Sequence, residues 1–275
     1  MGKVDLHIHT TASDGKFTPA EIVSKSYESR LTHIAICDHD SIEGVIPAQI
    51  AAKNFNGINV ISGVEINTDT ALGELHILGY LIDCSHPELA FILNKLRNSR
   101  IERASKIIEK LHRLGVNINL ERVKEIAGEG AIGRPHIAQV MYERGYVFSL
   151  RDAFEKYISR GGPAYVERDK TTPIEAIQLI RRAKGIPVLA HPLTCENLEP
   201  LIKELKAAGL MGLEIYYGNY NSLQVQDLLK LAEAYNLVPT GGSDFHGLDS
   251  LSELPLGGVD VPIECVKRLL TLASQ

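Results

Sequence analysis

The chain has no tryptophan, only three methionines and only four cysteines among its 275 residues. The cysteines, Cys37, Cys84, Cys195 and Cys265, stand 47, 111 and 70 residues apart. This spacing excludes the CxxC pairs of redox and zinc motifs and the short loops of a disulfide framework, and it points to a reducing, cytoplasmic setting. No run approaches the roughly 18 consecutive apolar residues of a membrane span. The opening Met1-Gly2-Lys3-Val4-Asp5-Leu6 lacks the apolar centre of a signal peptide, and Leu6 stands where a myristoylation motif wants Ser or Thr. Neither export nor a membrane partner is expected. An excess of positive charge is missing too: 29 Lys and Arg face 34 Asp and Glu, a net charge of −5. No broad basic face is therefore available to hold duplex DNA by neutralising its phosphates. At 44% apolar and 23% charged, the composition excludes disorder and collagen and is that of a globular chain. What is plentiful is histidine, with ten residues.

Short β-like runs alternate with amphipathic helical stretches, which predicts parallel βα units rather than a sandwich or a bundle. Strands are expected near 3–9, 33–37, 58–66, 75–82, 186–190, 212–216 and 237–243. Thr18-Pro19-Ala20-Glu21 and Thr172-Pro173-Ile174-Glu175 both read as helix starts, with a capping Thr, Pro at the first helical position and Glu at the third. Such alternation favours an α/β fold of the (β/α) barrel type, whose functional side chains gather at the C-terminal ends of the strands. One interval, 86–165, is helical only. Leu89, Ile92, Leu93, Leu96, Ala104, Ile107, Ile108, Leu111 and Leu114 fall near a 3.6-residue period, and Gly115 is placed to end that helix. Further helices are expected around 119–127, 134–143 and 149–157. About 80 residues without a strand exceed what one crossover needs. The expected organisation is a barrel domain of 1–85 and 166–275 interrupted by a helical insertion, 86–165, that caps the active-site end.

Six of the ten histidines fall at predicted strand ends or in the loops just after them. His7 and His9 are two apart on the first strand and so project from one face, as two ligands of one metal do. Asp14 follows in the next loop. Cys37-Asp38-His39-Asp40 ends the second strand, Glu65 the third, and His76 lies on the fourth. His191 follows the fifth strand, and Ser243-Asp244-Phe245-His246 closes the last. Buried together without cations, these carboxylates and imidazoles would cost several kcal/mol per uncompensated ion. Divalent metals resolve that conflict. Imidazole and carboxylate without thiolate suit Mn, Fe or Zn in a catalytic role rather than a closed structural zinc site. Asp38 and Asp40 flank a candidate ligand and are expected to orient it or cap a helix rather than bind metal.

In this order and at these spacings, the motifs Asp5-Leu6-His7-Ile8-His9, Ser13-Asp14-Gly15, Asp38-His39-Asp40, Gly63-Val64-Glu65-Ile66, His76-Ile77-Leu78-Gly79-Tyr80, Ala190-His191-Pro192 and Gly242-Ser243-Asp244-Phe245-His246-Gly247 make the chain resemble the PHP (polymerase and histidinol phosphatase) family of metal-dependent phosphoesterases. The resemblance covers nearly the whole chain. It implies a distorted seven-stranded (β/α) barrel holding three divalent ions, with manganese the leading candidate. It further implies one ion held by His7, His9, Glu65 and Asp244, a second by Glu65, His76 and His191, and a third by Asp14, His39 and His246. Glu65 would bridge two ions, and a hydroxide they activate would replace any side-chain nucleophile in phosphate ester hydrolysis.

Ile132-Gly133-Arg134-Pro135-His136 within the insertion puts an arginine at a predicted helix start, where guanidinium and backbone N–H groups can take a phosphate together. With Tyr165-Val166 and Thr240-Gly241-Gly242, this segment is similar to a branch of the PHP family once labelled tryptophan-operon-linked proteins. That likeness implies phosphatase activity on nucleoside 3′,5′-bisphosphates, 5′ to 3′ trimming of short RNA, and substrate phosphate held by Arg134 and His136. Arg168, Lys170 and Tyr217 are further candidates for the pocket. One departure stands out: after Ala190-His191-Pro192 the branch commonly has Gly then Arg, whereas here Leu193 and Thr194 remove a phosphate-binding cation. The alternatives are a histidinol-phosphatase-like or other small-phosphate hydrolase, and a non-catalytic binding module that keeps its metals for structure.

Overall fold

The computed structural model describes residues 2–70, 73–128, 132–167, 171–218, 220–248 and 253–274. Strands β1 (Lys3–Ile8), β2 (Leu31–Ile36), β3 (Asn59–Thr70), β4 (Gly73–Tyr80), β5 (Ile186–Leu189), β6 (Gly212–Tyr217) and β7 (Val238–Gly242) form one sheet in that order. β1, β2 and β3 pair parallel, as do β5, β6 and β7. Just beyond β7, Phe245 lies beside the end of β1, where the His9 N–H donates to the Phe245 carbonyl at 2.9 Å. The sheet is thereby curled into a nearly closed seven-stranded barrel.

β4 departs from the uniformly parallel expectation, because it runs antiparallel to both β3 and β5. Only two residues separate Thr70 from Gly73. A hairpin can close over that gap, whereas a parallel crossover needs a dozen or more residues. The reversal sets Asn67 opposite His76 and Glu65 opposite Leu78. His76, near the start of its strand, therefore reaches the same rim that the parallel strands reach with their ends.

Helices α1 (Pro19–Glu28), α2 (Val45–Ala52), α7 (Pro173–Arg182), α8 (Leu198–Ala208), α9 (Ser222–Ala234) and α10 (Ile263–Ala273) accompany the strands. Both expected capping boxes form. The Thr18 N–H donates to Glu21 Oε2 at 2.8 Å while Thr18 Oγ1 accepts from the Glu21 N–H at 3.3 Å, and Thr172 with Glu175 repeats the pattern. Apolar clusters hold the barrel, two of them among the described residues. One joins Val4, Leu6, Ala35, Leu78 and Val188 to Cys265, Val266 and Leu269 of α10. The other joins Ile8, Ile34 and Ile36 to Ile22 and Val23 of α1 and Val45 and Ala48 of α2.

The chain divides into two compact units, Met1–Ile92 with Lys170–Gln275, and Leu93–Asp169. The first boundary falls inside α3 (Pro87–Arg113) rather than at residue 86. Arg182 of α7 donates to both carboxylate oxygens of Glu88 at 2.9 and 3.0 Å, which ties the first turn of α3 to the barrel unit. The second unit has its own core, in which Ile107 and Leu111 of α3 pack with Val123 of α4 (Leu120–Ala127), Ile137 and Met141 of α5 (Arg134–Glu143), and Ala153 of α6 (Leu150–Ala153). The helix expected over 149–157 is α6 followed by one wide π-type turn, Phe154–Ile158.

Candidate metal centre

Six strands deliver side chains to one end of the barrel. β1 supplies His7 and, one residue past its end, His9, while the loop that follows supplies Asp14. The chain after β2 supplies His39, β3 supplies Glu65 and β4 supplies His76. His191 follows β5, and Asp244 and His246 follow β7. Glu65 lies at the middle. Its Oε2 is 3.4 Å from His7 Nε2, 3.3 Å from His9 Nε2 and 2.8 Å from His39 Nδ1, and its Oε1 is 2.8 Å from His76 Nδ1 and 3.3 Å from His191 Nε2.

Three groups of donor atoms emerge. His7, His9, Glu65 and Asp244 form one, and His9, Asp14, His39 and His246 another, each with donor atoms within 4.8 Å of one another. The third centres on Glu65 and His76, with His39 within the same limit. His191 belongs beside this third group, since its Nε2 is 3.2 Å from His76 Nδ1. All nine residues expected from the sequence thus converge. His7, His9 and Glu65 form a buried floor, whereas His191, His39, His76, His246, Asp244 and Asp14 are 13 to 22% exposed, so the cluster opens outward.

The electrostatics of this pocket ask for cations. Burial opposes charge on Glu65, Asp14 and Asp244, yet neighbouring imidazoles hold all three carboxyls well below their usual range. The imidazoles divide in response. Burial and the nearby His246 push His9 down to about 4, whereas Asp14 and Asp244 lift His246 to about 10 against its burial. Four buried donor atoms, His7 Nε2, His9 Nδ1, Asp14 Oδ1 and Glu65 Oε2, have no hydrogen-bond partner. Polar atoms buried this way are costly unless something binds them. Among the described residues other buried atoms, such as Ser26 Oγ and Thr240 Oγ1, also lack a partner, but these four are gathered in one cluster, and its donor set fits divalent ions.

The residues that aim the ligands were only partly visible in sequence. Glu214 on β6, fully buried, accepts from His7 Nδ1 at 2.9 Å and from the His191 N–H at 2.7 Å. An acceptor-only carboxylate keeps a proton on His7 Nδ1; burial opposes charge on the ring, but Asp244, Glu214 and Glu65 hold it well above the usual imidazole range, so Nε2, facing Glu65 and Asp244, is the nitrogen at which a cation would replace a proton. β6, the one strand expected to bring nothing, thus supports two ligands. A lone acid in Gly212-Leu213-Glu214-Ile215-Tyr216 was the available signal. Asp5 is the second such residue, since it accepts from the Ser243 N–H and hydroxyl and from the Gly257 N–H, bracing the turn that carries Asp244. Asp38 takes the Thr10 N–H and the Thr10 and Ser13 hydroxyls, which fixes the loop leading to Asp14. Asp40 accepts from the Asn67 N–H and side chain, and Asn67 Nδ2 lies 3.1 Å from His39 Nδ1. Tyr217 donates its hydroxyl to Asp244 Oδ2 at 3.0 Å, and burial keeps that phenol protonated. Asp40, His191 and Asp244 all adopt positive φ, at 49°, 28° and 55°. Backbone strain of this kind persists where surrounding bonds over-determine it.

Arg134 and His136 are on the first turn of α5, in the second unit. His136 Nδ1 accepts from the Gly133 N–H at 3.0 Å, so the ring caps its own helix. The Arg134 guanidinium sits 5.8 Å from the Phe154 ring and 5.9 Å from the Tyr165 ring. Arg168 and Lys170 lie outside the described residues.

Comparison with known proteins bears on this site. Residues 5–108 match the sequence profile of the PHP domain. A 5′-3′ exoribonuclease of Haemophilus influenzae is 36% identical over 248 residues, 89% of this chain and 90% of that protein. A 3′,5′-nucleoside bisphosphate phosphatase of Chromobacterium violaceum is 31% identical over 251 residues, 90% of this chain and 88% of that protein. Among solved structures, one described as a metal-dependent phosphoesterase from Bifidobacterium adolescentis superposes with a TM-score of 0.88 at 28% identity, covering 98% of this chain and 96% of its own. The chain belongs to the PHP-domain family of metal-dependent phosphoesterases, hydrolases that act on phosphate esters.

Proposed function

We propose that this protein removes phosphate from small nucleotides, nucleoside 3′,5′-bisphosphates first among them, and trims short RNA from its 5′ end. The observation that carries the reading is the convergence of nine imidazole and carboxylate side chains, four of which, His7, His9, Asp14 and Glu65, bring a buried atom without a hydrogen-bond partner to the cluster. The names of the relatives from C. violaceum and H. influenzae support the choice of nucleotide and RNA substrates. In this reading three divalent ions, manganese by preference, occupy the cluster. His7, His9, Glu65 and Asp244 hold one, Glu65, His76 and His191 a second, and Asp14, His39 and His246 the third. Bound there, divalent ions supply Lewis-acid polarisation of the phosphoryl oxygens and activation of water near neutral pH.

The chain's own groups set the stage for that chemistry. Glu214 presents His7 through Nε2 by occupying Nδ1, and Tyr217 and the Asp5-braced turn hold Asp244. Asp38 and Asp40 fix the two loops that carry Asp14 and His39. The half-open rim admits a phosphate while the floor stays buried. Arg134 and His136 are proposed to take a substrate phosphate.

Metal analysis of the purified protein, with a hydrolysis screen of adenosine 3′,5′-bisphosphate, AMP, histidinol phosphate and short 5′-phosphorylated RNA, tests the proposal. The expected result is manganese-dependent release of phosphate from the bisphosphate. Activity on histidinol phosphate alone overturns the nucleotide assignment. Inactivity on every substrate with the metals bound favours a binding module.

A further inference from the structure

We propose that Thr194 is a positioning residue for this centre: its hydroxyl fixes His191 in the tautomer that presents a bare Nε2 to Glu65 and His76. The inference rests on the metal-binding reading of the site and concerns the position where the sequence departs from the Gly-Arg pattern of its branch.

A threonine hydroxyl has one hydrogen. Thr194 Oγ1 lies 2.9 Å from the His191 carbonyl oxygen and 3.3 Å from His191 Nδ1. A carbonyl can only accept, so the hydrogen goes there. Towards Nδ1 the same oxygen must then act as acceptor, which requires the proton of neutral His191 to reside on Nδ1. Nε2 is left with its lone pair.

That nitrogen faces Glu65 Oε1 at 3.3 Å and His76 Nδ1 at 3.2 Å. A bare nitrogen opposite a carboxylate oxygen is a repulsive pair, and a cation among the three atoms makes it favourable. The rest of the segment is built to hold this geometry. Pro192 opens a single tight turn, Pro192–Thr194, that brings the hydroxyl back to His191 Nδ1 and the His191 carbonyl. The Thr194 N–H also donates to the His191 carbonyl, at 3.1 Å, and the His191 N–H donates to Glu214 Oε2 at 2.7 Å. His191 itself sits at a φ of 28°, outside the ordinary wells, so its orientation depends on these bonds. Val fills the same space as Thr without the hydroxyl, whereas Ser keeps the hydroxyl and loses the methyl.

Two measurements on wild-type, Thr194→Val and Thr194→Ser proteins test the proposal. The first is manganese and zinc affinity by chelator competition. Removing such a supporting group is expected to weaken the affinity of one ion by roughly 10- to 100-fold in Thr194→Val, with recovery in Thr194→Ser. The second is the ¹⁵N spectrum of His191 in chelator-treated protein, recorded above the pH at which His191 itself loses its second proton, so that the neutral ring is read. Protonated Nδ1 is expected in wild type and Thr194→Ser, and a mixture in Thr194→Val. Wild-type affinity in Thr194→Val, or an Nε2–H tautomer in wild type, overturns the proposal. If the wild type binds ions but hydrolyses no phosphate ester, the functional reading falls while the affinity comparison still decides the role of Thr194. If it binds none, the tautomer alone decides.

Discussion

Glu214 shows how much of the candidate centre depends on a residue outside the ligand set. Its two oxygens hold His7 through Nδ1 and His191 through the backbone, so one carboxylate aims two candidate ligands. Glu214→Gln keeps the shape and one acceptor oxygen but presents an amide donor to one of two N–H groups. Manganese affinity is expected to fall by roughly 10- to 100-fold, the range for groups that orient metal ligands, with the fold unchanged by circular dichroism. Unaltered metal affinity would show that His7 orients itself. Arg134 is a different case, because the expectation concerns phosphate rather than metal. Arg134→Ala is expected to cost about 2 kcal/mol in kcat/KM on a bisphosphate while leaving metal content at the wild-type level. An unchanged kcat/KM would return Arg134 to its packing against Phe154 and Tyr165. The convergence of eight of the nine candidate ligands was legible from strand ends, because βα architecture sends those positions to one rim, whereas His76 reaches the rim from the first half of a strand that runs the other way. Glu214 and Asp5 were not, since each is a single acid in an apolar strand and its partners lie 23 to 252 residues away, apart from the His7 N–H beside Asp5.

At the scale of elements, the antiparallel β4 was hidden by the strand boundaries. Strands expected at 58–66 and 75–82 leave eight residues between them, whereas β3 and β4 actually extend to Thr70 and from Gly73. The added residues, Asn67-Thr68-Asp69-Thr70, are polar and read as loop, yet the Thr68 hydroxyl donates to the Leu75 carbonyl at 2.5 Å and helps lock the hairpin. Barrel closure is the other element-level feature with a sharp test. A Cβ on Gly242 of β7 would overlap the His7 backbone nitrogen and lie 2.5 Å from His7 Cβ. Gly242→Ala is therefore expected to push β7 away from β1, cost about 1–3 kcal/mol by overpacking, and displace His7 within the candidate metal centre. Urea denaturation and metal content measure the two effects together. A variant with wild-type midpoint and full metal content would mean that the seam between β1 and β7 yields freely.

For the molecule as a whole, the net charge of −5 counts carboxylates that face the cluster, so the formal sum misstates the field at the rim. Protons and metal ions compete for that place. With metal removed by chelation, Asp14 and Asp244 lift His246 to about 10, against its burial, from an unperturbed value of 6.5. A raised pKa means the folded state binds the proton more tightly than the unfolded chain does. Its stabilisation is complete below pH 6.5 and is lost as the pH rises through about 10. Metal-loaded protein escapes this loss, because a bound divalent ion does not titrate away and deprotonation of its ligands favours it. Each ion at 100 times its Kd adds about 2.7 kcal/mol. The gap in thermal midpoint between metal-loaded and chelated protein is therefore expected to widen from pH 7 to pH 10. Lysines, tyrosines and cysteines far from the site titrate alike in both samples and cancel in the difference. Midpoints that fall in parallel over that range would show that the imidazoles of the cluster do not exchange protons for metal.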